Sequence, residues 1–129
     1  STSFYFITFI CITVPSGSTL QPNYSQETSI PERAIINANV NWNLILKGKT
    51  QTNGIDYTFK VLSVPPGATT PYNDNYYPYN NTDIVIVQGV PLNTTGEVQV
   101  NYRITINQNG NIQPAGIYTL NIPYQLTPR

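Results

Sequence analysis

Strict alternation of apolar and polar residues is the feature that most constrains how this chain of 129 residues can fold. Apolar side chains occupy every second position in residues 36–46, 55–61, 98–106 and 118–126, and mostly polar side chains lie between them. Successive side chains of a β-strand point to opposite faces of the sheet, so this period of two predicts strands with one buried face. No stretch has the period of an α-helix, and Pro and Gly act as punctuation between strands. The sequence therefore predicts an all-β fold, for which a two-layer sandwich is favoured over a closed barrel.

The same patterns predict how individual strands are placed. Residues 33–46 are expected to form one long strand with Trp42 in the core, and Asn53-Gly54 is expected to turn the chain back into a hairpin with the next strand. Residues 83–90 are apolar on both sides, which predicts a strand buried on both faces or covered by a loop, and residues 20–30 predict a weak additional strand. Pro123 predicts an edge position or a bulge, because proline cannot donate to a ladder. Residues 64–82 predict a long irregular loop.

Charge is scarce along the chain and absent from its first 26 residues. Six basic residues against 6 acidic ones cannot neutralise several phosphates, so no nucleic-acid partner is expected. The chain has no His and a single Cys, which permits no internal disulfide and removes most nucleophilic, proton-relay and transition-metal chemistry. The carboxylates are dispersed along the sequence. We therefore expect no enzyme activity, no metal site and no cofactor.

The uncharged stretch Phe4–Val14 is apolar on both faces and predicts a strand that must be covered on each side. It is shorter than the roughly 20 residues that a membrane-spanning helix needs, so no stable membrane insertion is expected. Its only Cys, Cys11, is expected to be a small buried hydrophobic residue. The small and polar residues 15–19 predict a flexible hinge, which divides the chain into residues 1–19 and a sandwich domain of residues 20–129. Two arrangements are open: the strand folds back into its own domain, or it completes a neighbouring copy by strand addition.

Two segments carry a resemblance to a known class. The segment Pro114-Ala115-Gly116-Ile117-Tyr118-Thr119-Leu120-Asn121-Ile122-Pro123-Tyr124 resembles the closing strand of pilin-like immunoglobulin sandwiches, and Trp42-Asn43-Leu44 is similar to an early core strand of such subunits. With the N-terminal apolar stretch, the layout resembles donor-strand filament subunits, namely archaeal thread and bundling-pilus proteins and, more distantly, bacterial chaperone–usher pilins. The lack of a disulfide departs from many bacterial pilins and favours the archaeal class.

The resemblance implies an incomplete immunoglobulin-like β-sandwich with an N-terminal donor-strand extension. Such a subunit would polymerise head to tail with identical subunits into an extracellular, cell-surface filament for adhesion or biofilm formation. The implied donor residues are Phe4, Tyr5, Phe6, Ile7, Phe9, Ile10, Cys11, Ile12 and Val14. The implied acceptor and core residues are Trp42, Leu44, Tyr102, Ile104, Tyr118, Leu120, Ile122 and Tyr124. Burial of eight or nine apolar donor side chains would contribute roughly 12 to 25 kcal/mol per junction before ordering costs.

Two further features bear on function. Three N-x-[ST] sequons, at Asn23, Asn80 and Asn93, predict N-linked glycans. The Tyr-rich segment of residues 72–79 supports a second hypothesis, a secreted carbohydrate-binding module whose tyrosines stack on sugars. The simpler interpretation of that segment is a Pro-rich loop that packs on the sandwich with its hydroxyl groups in water. Asn73-Asp74-Asn75 lacks an EF-hand ligand pattern, so no calcium site is predicted there.

Overall fold

The computed structural model describes residues 3–14, 21–28 and 30–129 of the chain and confirms the predicted β-sandwich. Within these ranges two antiparallel sheets pack face to face, and one 3-10 turn, Gln108–Gly110, precedes the last strand. The strands are β1 (Phe4–Val14), β2 (Tyr24–Glu27), β3 (Glu32–Ile36), β4 (Trp42–Leu46), β5 (Asp56–Ser63), β6 (Tyr77–Pro78), β7 (Ile84–Gly89), β8 (Gly96–Ile106) and β9 (Gly116–Pro128). The predicted hinge, residues 15–19, lies outside the described residues.

Strands that follow each other in the chain mostly belong to different sheets. The first sheet has the order β1-β9-β4-β7. The second sheet has the order β2-β8-β5-β6, with β3 also paired to β8. β8 is therefore the centre of the second sheet, and β9 is an interior strand of the first.

The core lies between the two sheets, where alternate side chains of facing strands are buried. Trp42 is 1% exposed, and its indole N–H donates to the Val90 carbonyl over 2.9 Å. Gly89 lies directly against the indole, and a Cβ at this position would lie 1.9 Å from Trp42 Cε2. The ring therefore fits only because residue 89 has no side chain.

The expected long strand over residues 33–46 is wrong, because the chain changes sheet in its middle. β3 pairs with β8 in the second sheet, whereas β4 pairs with β7 and β9 in the first. Residues 37–41 cross between the sheets, and Val40 is 46% exposed although it continues the alternation. The crossing is held by residues 92–95: Leu92 N–H donates to the Ala38 carbonyl over 2.8 Å. Alternation records which side of a strand is buried and carries no signal for a change of sheet.

The expected hairpin at Asn53-Gly54 is also wrong. Gly54 does adopt a turn conformation, with φ of 86°, but β4 and β5 on either side of it lie in opposite sheets. The turn is closed by the Ile55 N–H, which donates to the Thr52 carbonyl over 3.0 Å. The weak strand expected in residues 20–30 is present as β2.

Pro123 lies in an interior strand, contrary to the expected edge position or bulge. The Lys47 N–H donates to the Pro123 carbonyl over 2.9 Å, immediately beyond the end of β4. An ordinary residue at position 123 would return a second hydrogen bond to the Lys47 carbonyl, which proline cannot do. The Tyr79 hydroxyl donates to that carbonyl instead, over 2.9 Å. The missing donor is therefore replaced by a side chain.

β7 is buried on its inner face and is paired at part of its outer edge with a loop, so its outer face is not covered as the sequence predicted. A register shift opposite Leu44 and Ile45 lets both Ile86 and Val87 point into the core, while Val85 stays 39% exposed. Thr69, in the loop of residues 64–76, exchanges two backbone hydrogen bonds with Gln88. This loop therefore closes part of the outer edge of the first sheet.

Candidate functional site

The predicted donor strand, β1, lies at the edge of the first sheet of its own chain. It pairs antiparallel with β9 over its whole length, from Phe4 opposite Leu126 to Val14 opposite Gly116, without a register shift. Of the two arrangements left open by the sequence, the structure contains the strand folded back into its own domain. The donor-strand extension is not shown, and the groove that a neighbouring strand would fill is occupied by β1 itself.

The inner face of β1 packs into the sandwich. Ile10, Ile12 and Val14 are 3%, 4% and 3% exposed. Half-buried Phe6 stacks on Tyr124, with ring centroids 5.2 Å apart and ring planes 17° from parallel. Phe4, at the start of the strand, is 64% exposed. Three fully buried side chains contribute about 5 to 9 kcal/mol, which is well below the 12 to 25 kcal/mol expected from burial of eight or nine.

The outer face of β1 is uncovered, so the expectation of a strand buried on both faces is wrong for this chain by itself. Tyr5, Ile7 and Phe9 are 68%, 54% and 61% exposed. Cys11 is also exposed, contrary to expectation, and its Sγ lies 3.6 Å from Thr119 Oγ1 on β9. The reason is geometric: an edge strand of a two-layer sandwich has a second layer on one side only.

The predicted acceptor and core residues separate into two groups. Ile122 and Tyr124 of β9 are buried on the inner face of the sheet beside β1, and Tyr118 and Leu120 of the same strand are half-buried there. Together with Ile104, the last two residues line an apolar cavity of about 30 Å³ below Ile12 and Val14. Trp42 and Leu44 are buried on β4, on the far side of β9, and belong to the general core.

A pair of buried tyrosines joins the two sheets below Phe6. The hydroxyl groups of Tyr102 on β8 and Tyr124 on β9 are hydrogen-bonded to each other in the core. Burial is the main cause that raises the pKa of both hydroxyl groups well above the ordinary tyrosine value, so both remain neutral. The sequence analysis placed both residues in the core but missed this contact, because the two residues occupy strands of different sheets. Phe6 covers one side of the pair through its stack on Tyr124.

The ion pairs of the described residues are formed outside β1, and one of their members, Lys47, has its Nζ 6.0 Å from the ring of Tyr5 on that strand. Glu27 pairs with Arg103, and Asp83 with Lys47, each over 2.6 Å, and Glu97 pairs with Arg33. The side-chain hydrogen bond from Arg103 lowers the pKa of Glu27. The Gly48 N–H, and then Lys47, lower the pKa of Asp83. These contacts lie on exposed surface, whereas β1 carries no charge.

The three sequon asparagines are all exposed. Asn23 has a left-handed backbone, with φ of 55°, directly before β2. Asn80 Oδ1 accepts a hydrogen bond from the Thr82 N–H over 3.0 Å, which folds that sequon into a local turn. Asn93 lies in the connection between β7 and β8. Each amide is thus open to solvent in the folded chain.

The Tyr-rich segment packs against the sandwich. Tyr72 contacts Phe59 at 5.2 Å and Tyr77 at 4.9 Å between ring centroids. The face of Tyr76 covers the Arg103 guanidinium at 4.0 Å, and its hydroxyl accepts a hydrogen bond from Asn101 over 2.8 Å. These ring faces are engaged by protein, so the segment packs on the sandwich as the simpler interpretation describes. The expectation that its hydroxyl groups lie in water is wrong for Tyr76, Tyr77 and Tyr79, which are hydrogen-bonded to Asn101, Asp74 and the Lys47 carbonyl.

Three further findings concern membrane helices, metal ligands and similarity to known proteins. Within residues 3–14, 21–28 and 30–129, no helix has the length and apolar character to cross a membrane. In the same ranges, no group of three or more His, Cys, Asp and Glu side chains comes together as a metal site would require. Comparison with protein-family models, curated proteins and solved structures finds no match for this chain.

Proposed function

We propose that this chain is a structural subunit of an extracellular surface filament, which polymerises head to tail by inserting its N-terminal strand into the neighbouring subunit. The observation that supports this proposal most is the position of β1: an uncharged strand, near one end of the sequence and at the edge of a sheet, paired along its whole length with β9. Such a strand can leave its own groove and enter an identical one with every contact preserved. Adhesion or biofilm formation is the role we expect for the filament.

The connection after β1 has the composition that an exchange requires. Residues 15–20 read Pro-Ser-Gly-Ser-Thr-Leu, and they join Val14, opposite Gly116 in the first sheet, to the region of β2 in the second. Six residues can extend over about 20 Å. Insertion into a neighbour is a head-to-tail contact, which leaves one free strand and one free groove at the two ends and so gives an open chain.

The energetics favour slow exchange. The same inner-face side chains are buried whether β1 lies in its own groove or in a neighbour's, so the balance between monomer and polymer depends on chain concentration and on strain in the connection. Release of β1 first exposes Ile10, Ile12 and Val14, at a cost of about 5 to 9 kcal/mol in side-chain burial alone. Assembly should therefore be concentration-dependent and slow, and a finished junction should dissociate slowly.

The extracellular location is part of the same proposal. It is supported by the exposed asparagines of three sequons, Asn23, Asn80 and Asn93, which would carry N-linked glycans on the sides of the filament. The carbohydrate-binding hypothesis for residues 72–79 stays a prediction from the sequence. The contacts of Tyr72 and Tyr76 with Phe59 and Arg103 do not favour it.

The proposal is tested by electron microscopy of the purified full chain, with a peptide of residues 1–14 as a competitor. We expect unbranched fibres that contain one 14.4 kDa protein and that become shorter when excess peptide fills their free grooves. A scrambled peptide of the same composition is the control. A monodisperse monomer at all concentrations, or fibres whose length neither peptide changes, would contradict the proposal.

A further inference from the structure

The edges of the two sheets differ in how they are protected from pairing with another chain. The outer edge of β7 is partly closed by the Thr69–Gln88 pairing, and β6 has only two residues. β2 and β3 are short, and they carry Glu27, Glu32 and Arg33. β1 has 11 residues with no charge, proline or bulge, and no described strand pairs with its outer edge. Charges, short strands and covering loops are the usual means by which proteins protect such edges, and the described residues provide none of them for β1.

The backbone groups on this open edge can be assigned from the pairing of β9. Lys47 donates to the Pro123 carbonyl, so the odd-numbered residues of β9 direct their backbone groups towards β4. The backbone N–H and C=O groups of the even-numbered residues of β9 therefore point towards β1. They pair with the backbone groups of the even-numbered residues of β1, from Phe4 to Val14. The backbone groups on the outer edge belong to the odd-numbered residues, which are Tyr5, Ile7, Phe9, Cys11 and Thr13.

The side chains of these same residues form the uncovered outer face. Tyr5, Ile7 and Phe9 are each more than half exposed. Ile30, which is 73% exposed, lines an open cleft of about 260 Å³ beside this edge, together with Phe9, Cys11 and the acidic residue Glu32. The ammonium group of Lys47 lies 6.0 Å from the Tyr5 ring and is paired with Asp83. The uncharged strand β1 thus leaves backbone groups and apolar side chains open along this edge.

We propose that the outer edges of two β1 strands, from two copies of this chain, pair antiparallel about a two-fold axis at Phe9. A second copy is the occupant because the edge is self-complementary: β1 itself carries no charge, so two β1 strands do not repel each other, and an antiparallel strand presents the same alternation of donors and acceptors. With Phe9 opposite Phe9, Ile7 lies opposite Cys11 and Tyr5 opposite Thr13. This register uses all five outward-facing residues and joins two four-stranded sheets into one of eight strands.

This contact goes beyond the proposed filament junction, because it involves the other side of β1. Strand exchange replaces the pairing of β1 with β9, whereas the outer edge stays open whether β1 lies in its own groove or in a neighbour's. The two contacts can therefore fail separately, and they place different residues opposite each other. In the β9 contact Phe9 is opposite Asn121, whereas in the edge contact it is opposite Phe9 of the second copy.

Disulfide trapping tests the register. F9C in a C11S background and I7C with native Cys11 each place two thiols on directly opposed residues, whose Cα atoms would be about 5.5 Å apart. Both proteins should form a covalent dimer of twice 14.4 kDa on oxidation. I7C in the C11S background and the unmodified chain are the matched controls, because their thiols would lie several residues apart, and both should stay uncrosslinked.

Equal crosslinking of all four proteins, or none by F9C in the C11S background, would overturn the proposal. Ile7→Lys provides a second measurement that needs no thiol. Its side chain is exposed, so the thermal unfolding of the chain should not change, and the two-fold dimer should be lost in sedimentation analysis. A dimer that persists in Ile7→Lys would exclude the edge of β1 as its interface.

Discussion

The packing of β1 predicts that alanine substitutions on its inner and outer faces lower the free energy of unfolding by different amounts. The larger loss is expected at Ile12, on the inner face. Ile12 is 4% exposed and borders the cavity of about 30 Å³ that Tyr118 and Leu120 also line. Ile12→Ala removes buried carbon atoms and enlarges that cavity, and isoleucine-to-alanine changes in cores cost about 2 to 5 kcal/mol. β1 is an edge strand that can move inward to fill part of the space, so we expect about 3 kcal/mol.

The matched control is Ile7→Ala in the same strand. Ile7 is 54% exposed on the outer face, where truncation should change the free energy of unfolding by no more than about 0.5 kcal/mol. Urea unfolding of both variants, at a chain concentration where the protein is monomeric, measures the difference. Equal losses for Ile7→Ala and Ile12→Ala would refute the assignment of inner and outer faces to β1.

Three further predictions concern the rest of the sandwich. Gly89→Ala should lower the thermal unfolding midpoint and cost about 3 kcal/mol or more, because its Cβ would overlap the Trp42 ring. Burial raises the pKa of Glu32 in the folded chain, so its ionised carboxylate lowers stability at neutral pH. Glu32→Gln should therefore be more stable than the unmodified chain at pH 7. The unfolding midpoints of the two proteins should converge below pH 4.5, where the carboxyl group is neutral in the folded and the unfolded chain. Tyr76→Ala should cost about 1 to 2 kcal/mol in urea through loss of its contacts with Arg103 and Asn101, and glycan-array binding by the monomer that this variant abolished would instead support the carbohydrate-binding hypothesis.

The alternation in the sequence predicted most of the side chains that lie in the core, although Val40 continues the pattern and is 46% exposed. Trp42, Tyr102 and Tyr124 are buried as their alternating neighbours indicate, because the direction of a side chain depends on the local backbone alone. The choice of sheet depends on the whole topology. Residues 36–46 keep their alternation through the crossing between β3 and β4, so nothing in the pattern marks where the strand ends.

The candidate site was predictable to a similar degree. The length, the apolar character and the lack of charge of Phe4–Val14 identified β1 as a strand. Whether β1 pairs within its own chain or with a neighbouring copy could not be deduced, because the groove that an apolar strand fills is identical in both. The hydrogen bond between Tyr102 and Tyr124, and the replacement of the Pro123 donor by Tyr79, also depend on residues that are distant in sequence.

The central claim is that β1 of one chain pairs with β9 of the next, and a disulfide across that pair tests it most directly. Cys11 and Thr119 are opposite each other, with Cys11 Sγ 3.6 Å from Thr119 Oγ1, so T119C places a second thiol within bonding reach of the native one. The variant is assembled, oxidised, denatured and separated without reductant, with T119C in the C11S background as the control. Our account predicts a ladder of covalent multiples of 14.4 kDa that collapses to one band with reductant and is absent from the control. Assembled, oxidised T119C that runs only as a crosslinked monomer would show that each β1 remains in its own sandwich, and would contradict the account.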